Sequence, residues 1–413
     1  MPEDLRKLIL DNDYVICDSY KDKKIINFNN EIDFINWFKE NKNKKIAFYG
    51  DNRCHIIFDF LMFYENLLQK FKKNMNIYNE RYKDQDNKFL SEALEEFTIS
   101  NNGGKYLRAT LIGMGFRCFK EGDDFIALAL AFEIFQTSIL IHDDIIDKAF
   151  KRRGVDVIPL RYKKIYDSPI YGNEDFKENR DDFASSMALC LGDLGFYLAN
   201  EIIIDNYKDN ENFGLLFKYY NDVVIKTCYG EMLDVYLPFY GKYYGNEDLY
   251  DNVLNVYKLK TAWYSVIGPF CLGAILGGIN VKKLEVLEDI FTDLGVAYQI
   301  KDDILGIYGD ESVTGKTNSD VKEFKQTILY AYGLNTEYAD LIYEAYSSGD
   351  ILKVQDLFKK CGALDYANKM LEDLFNRCME RISNLSFISL ENRRLILGFI
   401  LYLKVRVKWK GFY

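Results

Sequence analysis

Proline is scarce in this chain of 413 residues, which contains only 5 prolines and 2 histidines. Few prolines leave long helices uninterrupted, because proline removes a backbone donor and clashes inside a helix. The 8 cysteines are scattered without a CxxC pair, a spacing that fits neither a zinc site nor a disulfide framework. They indicate a reducing compartment, where structural disulfides are rare.

A surplus of positive charge is also absent, because the formal net charge is -10. This disfavours a general nucleic-acid binder, although local basic clusters for small phosphate ligands remain possible. The first residues lack a basic start followed by an apolar run, so no secretory signal is predicted. No stretch approaches the roughly 18 apolar residues that a membrane span needs. The sequence therefore predicts a soluble, cytoplasmic protein.

Long apolar segments at helical spacing fill most of the chain. The segment 124–147 is apolar nearly all round, as in a buried helix. No regular alternation with Asn-Gly or Asp-Gly turns indicates hairpins. Residues 45–50 fit either a short strand or a helix end. The sequence predicts an all-α fold with further helices at 184–206, 213–236, 253–277, 283–307 and 385–408.

The strongest motif is HDDIIDKAFKRRG. Asp143 and Asp147 stand four residues apart on one helix face, whereas Asp144 lies about 100° away. Adjacent carboxylates in an apolar helix are costly without a neutralising cation, and Mg²⁺ suits such oxygen ligands and also bridges to substrate phosphates. Arg152 and Arg153 could clamp diphosphate oxygens. The alternative, an acidic helix end before a solvated basic turn, is disfavoured by the attached RRG.

A second acidic pair, Asp302 and Asp303, closes another apolar helix in YQIKDDILG. Lys316 and Lys325 follow, separated by a glycine-containing loop. A lone Asp pair is more often a solvated helix end. Two such pairs on separate helices, each followed by cations, instead indicate a site for metal and phosphate.

Further cations interrupt apolar runs. NNGGKYLRATLI places two glycines just before Lys105 and Arg108 at a helix start, where free backbone N–H groups can bind phosphate. Lys260 and Thr261 form another polar break, in YKLKTAWYS. Each cation alone would be an ordinary snorkelling side chain. Together they predict a cavity with two acidic, metal-binding rims and two sets of phosphate-binding cations.

These motifs resemble those of the trans-polyprenyl synthetase family, which includes farnesyl and geranylgeranyl diphosphate synthases. GGKYLR is similar to its GGKxxR element, HDDIIDKAFKRRG and QIKDDILG to its two aspartate-rich motifs, and KTAWYS and VTGKT to its KT and TGK elements. GEMLD resembles its GQxxD element, with Glu231 in the Gln position. The resemblance implies one large helical bundle of the isoprenoid synthase type around a central apolar cavity, within residues 75–413. Residues 1–74 would be a helical N-terminal extension of unknown function.

The resemblance also implies roles for individual residues. Several Mg²⁺ ions would bind with the allylic diphosphate to Asp143, Asp147 and Asp302, supported by Asp144 and Asp303. The allylic site would be completed by Arg152, Lys260, Thr261, Gln299, Lys316 and Lys325. Isopentenyl diphosphate would be held by Lys105, Arg108, Gln136 and Arg153. The catalytic set would comprise Asp143, Asp144, Asp147, Lys260, Thr261, Asp302 and Asp303.

Several positions depart from the family pattern. Gly306 replaces the last Asp of the second motif, a form that we interpret as compatible with activity. Tyr106 stands where a basic residue is usual, and VDVIPL replaces the usual Pro-Thr-x-His after RRG. The extra sequence at 163–182 has no interpretable counterpart. His142 is interpreted as a local helix residue and not as a catalyst.

The implied reaction is head-to-tail condensation through ionisation, condensation and elimination. Metal and cations would stabilise the departing diphosphate, which would also take the proton, since no convincing side-chain base is present. Ser138 and Ile139, about one turn before Asp143, would point down the product tunnel. The small Ser138 favours geranylgeranyl diphosphate, with farnesyl diphosphate next.

Two alternatives remain at this point. A terpene synthase shares the fold and the metal aspartates but needs no isopentenyl site, so Lys105, Arg108 and Gln136 disfavour it. A non-catalytic partner subunit would lose aspartates or cations, and only Gly306 points that way. The family also implies a homodimer.

Overall fold

The structure is a computed structural model of the chain. Two compact units are distinguished by their internal contacts, Met1–Asn66 with Phe375–Val407 and Leu67–Leu374 with Lys408–Tyr413. The proposed boundary between residues 74 and 75 stays a prediction. The structure describes residues 16–18, 24–26, 34–38, 46–48, 53–81, 86–168, 179–240, 246–309, 321 and 323–405.

The first unit contains a small antiparallel sheet with strand order β2-β1-β3. Residues 45–50 therefore include a strand. The expected helical character of the N-terminal extension applies to residues 34–38 and to the beginning of α1, Arg53–Arg81. Strands of three residues are too short for an alternating pattern to be recognised. The strands are β1 Ile16–Asp18, β2 Lys24–Ile26 and β3 Ile46–Phe48.

The first turns of α1 pack against the C-terminal helix Leu390–Val405 in the same unit. The rings of Phe60 and Phe399 have centroids 5.4 Å apart. Gly398 lies so close to α1 that a Cβ there would fall under 3.0 Å from the Ile56 carbonyl oxygen. Aromatic contacts and this close approach therefore hold the two helices together.

The second unit is almost entirely helical, which confirms the predicted all-α fold. The predicted segments 124–147, 184–206, 213–236 and 283–307 each correspond to one long helix. The helices are α1, then α2 Lys88–Asn101, α3 Leu107–Arg117, α4 Ile126–Ile146, α5 Ile158–Tyr166, α6 Arg180–Tyr207, α7 Phe213–Tyr240, α8 Asn246–Val256, α9 Gly268–Leu276, α10 Val281–Tyr308, α11 Ile328–Gly333, α12 Ala339–Ser348, α13 Ile351–Lys360, α14 Ala363–Ser383 and α15 Leu390–Val405, the last lying in the first unit.

A short hairpin follows α4 and turns the chain back over that helix. Its strands are β4, Lys151–Arg152, and β5, Val155–Asp156. The turn between them contains Gly154 with φ +79°, in the left-handed region that glycine adopts without strain. The hairpin thereby carries the basic pair of the first motif back toward its acidic residues.

Helix α4 lies at the centre of the unit, between α3 and α6. Its apolar sequence explains this position, because a helix that is hydrophobic on all sides must be covered on all sides. Nearby, α3 and α9 cross at two glycines. A Cβ at Gly115 would fall under 3.0 Å from the Phe270 carbonyl, and one at Gly273 would meet the Ile112 carbonyl equally closely. The pair lets the two backbones touch.

The predicted helix 253–277 contains an internal π-helical segment, Tyr257–Ile267. Such i→i+5 segments are rare and are frequent at functional sites. Two neighbouring helices approach this segment through glycines. A Cβ at Gly230 of α7 would fall under 3.0 Å from the Lys260 backbone, and one at Gly295 of α10 equally close to Ala262. The π-helical segment is therefore clamped between α7 and α10.

Three helices are long and apolar enough to cross a membrane by length and composition alone: Ile126–Ile146, Arg180–Tyr207 and Asp248–Leu276. The sequence-based statement that no stretch approaches a membrane span was therefore too strict. The qualifying windows of the first and third are 67% and 78% buried within the protein, whereas that of α6 is 44% buried. Helix α6 thus leaves much of its apolar surface uncovered.

Candidate active site

The end of α4 brings two carboxylates and an arginine together. Asp147 is the C-terminal cap, and Lys148, with φ +50°, turns the chain into the hairpin. Arg152 donates from Nη2 to Asp143 Oδ2 at 2.6 Å and from Nε to Asp144 Oδ1 at 2.7 Å. Burial alone would lower the pKa of Arg152, but Asp144 and Asp143 raise it. The arginine predicted to bind diphosphate is therefore bound to the acidic motif in this structure.

Lys260 projects from the π-helical segment into a group of three carboxylates. Its Nζ lies 2.6 Å from Asp234 Oδ2, 2.9 Å from Glu231 Oε2 and 3.6 Å from Asp143 Oδ1. Only 20% of the Lys260 side chain is exposed. Burial by itself would lower the pKa of Lys260, but these carboxylates raise it well above its ordinary value. The lysine stays charged and links α4 to α7.

Sequence reasoning noted the GEMLD element on α7 but gave its acidic residues no role. Glu231 and Asp234 stand three residues apart and therefore share a helix face. Gly230, the preceding residue, is the point at which α7 touches the Lys260 backbone. The Gly-Glu-x-x-Asp spacing was the available signal, because a close-packing glycine beside two carboxylates on one face indicates a contact with a cation.

Asp147 faces the same group from the last turn of α4. Burial and the charge of Asp143 raise the pKa of Asp147 to about 6, although Lys325 lowers it. Lys325 Nζ lies 3.8 Å from Glu323 Oε2, on the segment before α11. Asp143 and Asp147 thus share a helix face, and their carboxylates repel each other, as two ligands of one cation would before the cation binds.

The second acidic motif contains one half-buried and one buried carboxylate. Asp302 is half-buried, and it has no hydrogen-bond partner among the described residues. Asp303 is only 3% exposed and accepts from Gln299 Nε2 at 2.7 Å. Gln299 Oε1 in turn accepts from Thr261 Oγ1 at 2.6 Å. The predicted allylic-site residues Gln299 and Thr261 therefore form one chain of hydrogen bonds with Asp303.

Tyr257 was missed by sequence reasoning. It begins the π-helical segment, is 3% exposed, and donates its hydroxyl hydrogen to Asp303 Oδ2. Burial and Asp303 raise the pKa of Tyr257 well above its ordinary value, so the phenol keeps its proton. The Tyr257 hydroxyl oxygen also accepts a hydrogen bond from the Ile328 N–H at 2.7 Å. An isolated Tyr in an apolar helix looks like a core residue, so its sequence carried no signal.

Arg108 lies in the first turn of α3 and reaches the π-helical segment. It donates from Nη2 to Ser265 Oγ at 2.8 Å, and its guanidinium carbon lies 3.9 Å from the centroid of the Tyr264 ring. Glu133 of α4 lies fully buried nearby and accepts from the Ala109 N–H at 3.0 Å. Burial raises the pKa of Glu133, and Arg108 offsets this in part. Arg108 is thus held by a hydroxyl and an aromatic ring.

Arg153 lies against the glycine loop before α3. It donates from Nη1 to the Asn102 carbonyl at 3.3 Å. A Cβ at Gly104 would lie 3.2 Å from Arg153 Nη1, and Gly103 has φ +77°. Gly103 is therefore needed for its backbone conformation, whereas a side chain at Gly104 would require the end of the Arg153 side chain to shift. Lys105 follows this loop immediately, so two of the three predicted isopentenyl-site cations, Lys105 and Arg153, lie beside it.

The predicted residues one to two turns before Asp143 lie on different sides of α4. Gln136 is buried, with 7% of its surface exposed. Ser138 is fully buried and faces α6 and α2, because a Cβ at Gly195 would touch its Oγ and the ring of Phe97. Ile139 is half-buried. The proposed role of Ser138 and Ile139 in product length stays a prediction.

An aromatic cluster lies two turns below the acidic end of α4. The ring of Phe135 lies 5.7 Å from both Phe196 and Tyr220, and 6.3 Å from Tyr264. At 1.5 Å per residue, Phe135 is about 12 Å along the helix from Asp143. These rings pack against one another in the core beneath the charged site.

Among the described residues, no three carboxylate, histidine or cysteine side chains converge closely enough to hold a metal ion by themselves. The donors nevertheless fit Mg²⁺, which usually takes one or two carboxylates and completes its shell with water and substrate phosphate. Burial and the charge of Asp143 raise the pKa of Asp147, so a bound divalent cation would favour its charged form. Asp143 and Asp147, with Asp302 on α10, are the residues that would hold it.

Three further predictions concern single residues. Lys316 lies outside the described residues. His142 packs on α6, where a Cβ at Gly192 would fall under 3.0 Å from its ring. This packing agrees with its interpretation as a local helix residue. Gly306 is half-buried within α10, so the loss of the third Asp leaves the helix continuous.

Comparisons with known proteins give the family of the chain. Residues 87–361 match the family model of polyprenyl synthetases. The chain is 28% identical over 295 residues to geranylfarnesyl diphosphate synthase of Aeropyrum pernix, covering 68% of this chain and 83% of that protein. It is 26% identical over 297 residues to farnesyl pyrophosphate synthase 1, mitochondrial, of Arabidopsis thaliana, covering 66% and 70%.

A solved structure shares the fold. It is geranylgeranyl pyrophosphate synthase from Corynebacterium glutamicum, complexed with isoprenyl diphosphate and magnesium. The two superpose with a TM-score of 0.73 and 22% identity, over 83% of this chain and 98% of that one. The family model spans well over half of the chain, so this protein belongs to the polyprenyl synthetase family and is a prenyltransferase.

Proposed function

We propose that the chain condenses isopentenyl diphosphate head-to-tail with an allylic diphosphate, giving a short-chain prenyl diphosphate. One observation carries the proposal: Lys260 and Arg152 both contact Asp143. This contact lies where the C-terminal end of α4 meets the π-helical segment and α7. An acidic site with its cations already in place suits a metal-bound diphosphate. The family membership supports the same reaction class.

A second set of cations supports an isopentenyl site. Arg108 and Arg153 lie on either side of the glycine loop, and neither contacts the metal aspartates in the described structure. Glu133 beneath Arg108 holds the start of α3 through the Ala109 N–H. A terpene synthase has no need of this second set. We therefore favour a two-substrate synthase over a cyclase, and the retained aspartates favour it over a non-catalytic subunit.

In the proposed reaction the side chains bind and orient, and the substrates supply the electrons. Bound Mg²⁺ would withdraw charge from the allylic diphosphate as its C–O bond breaks. Arg152 and Lys260 would exchange their carboxylate partners for phosphate oxygens and stabilise the leaving group. Arg108 and Arg153 would hold isopentenyl diphosphate with its double bond toward the allylic carbon. The double bond of isopentenyl diphosphate would attack the allylic cation and form the new C–C bond, which leaves a cation on the isopentenyl unit. Loss of a proton from the adjacent carbon to the departing diphosphate would then form the new double bond.

For the product, we favour geranylgeranyl diphosphate, with farnesyl diphosphate next. The small side chain of Ser138 favours the longer product, and the aromatic cluster around Phe135 would limit the depth of a product tunnel. The relatives' products differ among themselves, so chain length must be measured on this protein. Ser138→Phe is expected to shorten the product.

A second copy of this chain is the proposed partner. Helices α6 and α7 expose apolar side chains at spacings of seven or fourteen residues, which places them on one face of each helix. Exposed stripes of this kind mark protein interfaces. The protein would then act as a homodimer, and we propose that it is cytoplasmic. The stripes contain Phe183, Tyr197 and Ile204 on α6 and Ile225, Met232 and Phe239 on α7.

The proposal is tested by incubating purified protein with labelled isopentenyl diphosphate and each allylic primer, with Mg²⁺ or with EDTA. Metal-dependent formation of prenyl diphosphates is the expected result, and chromatography gives their length. Consumption of allylic diphosphate without incorporation would favour a terpene synthase. No turnover of any primer would favour a partner subunit.

A further inference from the structure

The hydroxyl of Tyr257 connects three parts of the proposed site. It donates to Asp303 on α10 and accepts from the N–H of Ile328, the first residue of α11. Tyr257 itself belongs to the π-helical segment that carries Lys260. The hydroxyl therefore lies between the second acidic motif, the lysine-bearing segment and the end of the segment that contains Lys325.

Asp303 is hydrogen-bonded through both carboxylate oxygens and is almost fully buried in this arrangement. Its two oxygens accept from Tyr257 and from Gln299, and only 3% of the residue is exposed. Asp302, the adjacent residue, lies about 100° away around the helix and is half-buried. A fixed Asp303 thus sets the rotation of the last turns of α10, and with it the direction in which Asp302 points.

We propose that Tyr257 is a positioning residue for the metal and the diphosphate, acting through Asp303. The inference rests on the proposed function, in which Asp302 binds the metal. Hydrogen-bond partners of this second layer fix the orientation of the residues that contact a metal, and their loss costs about 10–100-fold in metal affinity. Tyr257→Phe removes one oxygen and nothing else, and leaves the Ile328 N–H and Asp303 each short of a partner.

Tyr219 offers a matched control. It is 7% exposed, and it donates its hydroxyl hydrogen to Glu288 Oε1 at 2.9 Å, so it also links a neighbouring helix to α10 through a carboxylate. Glu288 lies 14 residues before Asp302, about 21 Å along the helix. Tyr219→Phe therefore removes an equivalent bond far from the proposed metal site.

The first test measures binding of inorganic diphosphate by titration calorimetry at several Mg²⁺ concentrations. Tyr257→Phe is expected to raise the Mg²⁺ concentration for half-saturation about tenfold or more, whereas Tyr219→Phe leaves it unchanged. In turnover, the KM for the allylic substrate should rise by a similar factor, with the KM for isopentenyl diphosphate unchanged. Equal effects of the two variants, or none, would overturn the inference.

A double-mutant cycle with Asp303→Asn keeps the test decisive if Tyr257→Phe is simply less stable. If Tyr257 acts through Asp303, the double variant should bind no more weakly than the worse single variant, whereas independent effects would multiply. Multiplying effects would overturn the inference. Because calorimetry does not require turnover, wild-type protein that binds Mg²⁺ and diphosphate without condensing substrates would refute the proposed function and leave Tyr257 testable.

Discussion

Replacing Gly230 by alanine tests whether the close approach of α7 to the π-helical segment positions Lys260. A Cβ at this position would lie under 3.0 Å from the backbone N and Cα of Lys260 and from the carbonyl carbon of Leu259. These are backbone atoms, so no side-chain rotation can relieve the clash. The two helices must separate locally.

The size of the effect follows from this geometry. Overpacking of this kind costs about 1–3 kcal/mol, and the better helix propensity of alanine returns about 0.5–1 kcal/mol. We therefore expect a net loss of about 1–2 kcal/mol in the free energy of unfolding. Relief of the clash moves the Lys260 backbone by about 1 Å, and a misplacement of this size costs on the order of 100-fold in rate. Activity should fall far more than stability does.

Gly214, also on α7, is the control, because a Cβ there would meet nothing within 4 Å. Urea unfolding gives the stability of both variants, and kcat/KM for the allylic substrate gives the loss of function. Gly214→Ala should be neutral or stabilising by up to about 1 kcal/mol, with wild-type kinetics. If Gly230→Ala matched it in both assays, the close approach would have no role in positioning Lys260.

Three further predictions concern the core and the carboxylates. Phe135→Ala removes the centre of the aromatic cluster, so it should cost about 3–5 kcal/mol and lengthen the product, as chromatography would show; an unchanged product length would contradict this. Glu133→Gln keeps an acceptor for Ala109 without the buried charge. Since the native pKa is raised, any stability that Glu133 contributes is lost as pH rises above its ordinary range. The free energy of unfolding of Glu133→Gln, measured in urea, should therefore exceed that of the wild type by an amount that grows with pH. A difference that stays constant with pH would refute this prediction. The pKa of Asp147 is raised from 3.8 to about 6, so its contribution to stability is likewise lost as pH rises, and without metal Asp147→Asn should stabilise the protein more at pH 7.5 than at pH 5. Mg²⁺ should bind the wild type more weakly below about pH 6, where Asp147 is protonated.

Much of the fold was predictable, because long apolar runs with few proline interruptions leave little alternative to helices. The bounds of α6 and α10 came within a few residues of prediction. The π-helical segment could not be predicted, because its hydrophobic pattern resembles that of an α-helix and its geometry depends on Gly230 and Gly295 of two other helices. The three short strands were likewise too brief to produce a periodic signal.

The candidate site divides in the same way. Charged residues next to glycine or in repeated acidic pairs were recognisable, and the structure brings Asp143, Arg152 and Lys260 together as expected. The pairings among them were not predictable. Which carboxylates surround Lys260 depends on the register of α7, and Tyr257 gains its importance only from the partners that the fold gives its hydroxyl.

The ion pairs of Arg152 and Lys260 imply that metal and diphosphate bind cooperatively. Free diphosphate would meet two cations already neutralised by aspartates, and free Mg²⁺ would meet aspartates already neutralised by cations. Arriving together, the metal takes the carboxylates while the phosphates take the released cations, so no charge is left alone. Each ligand should thus bind more tightly in the presence of the other, by the same factor in both directions.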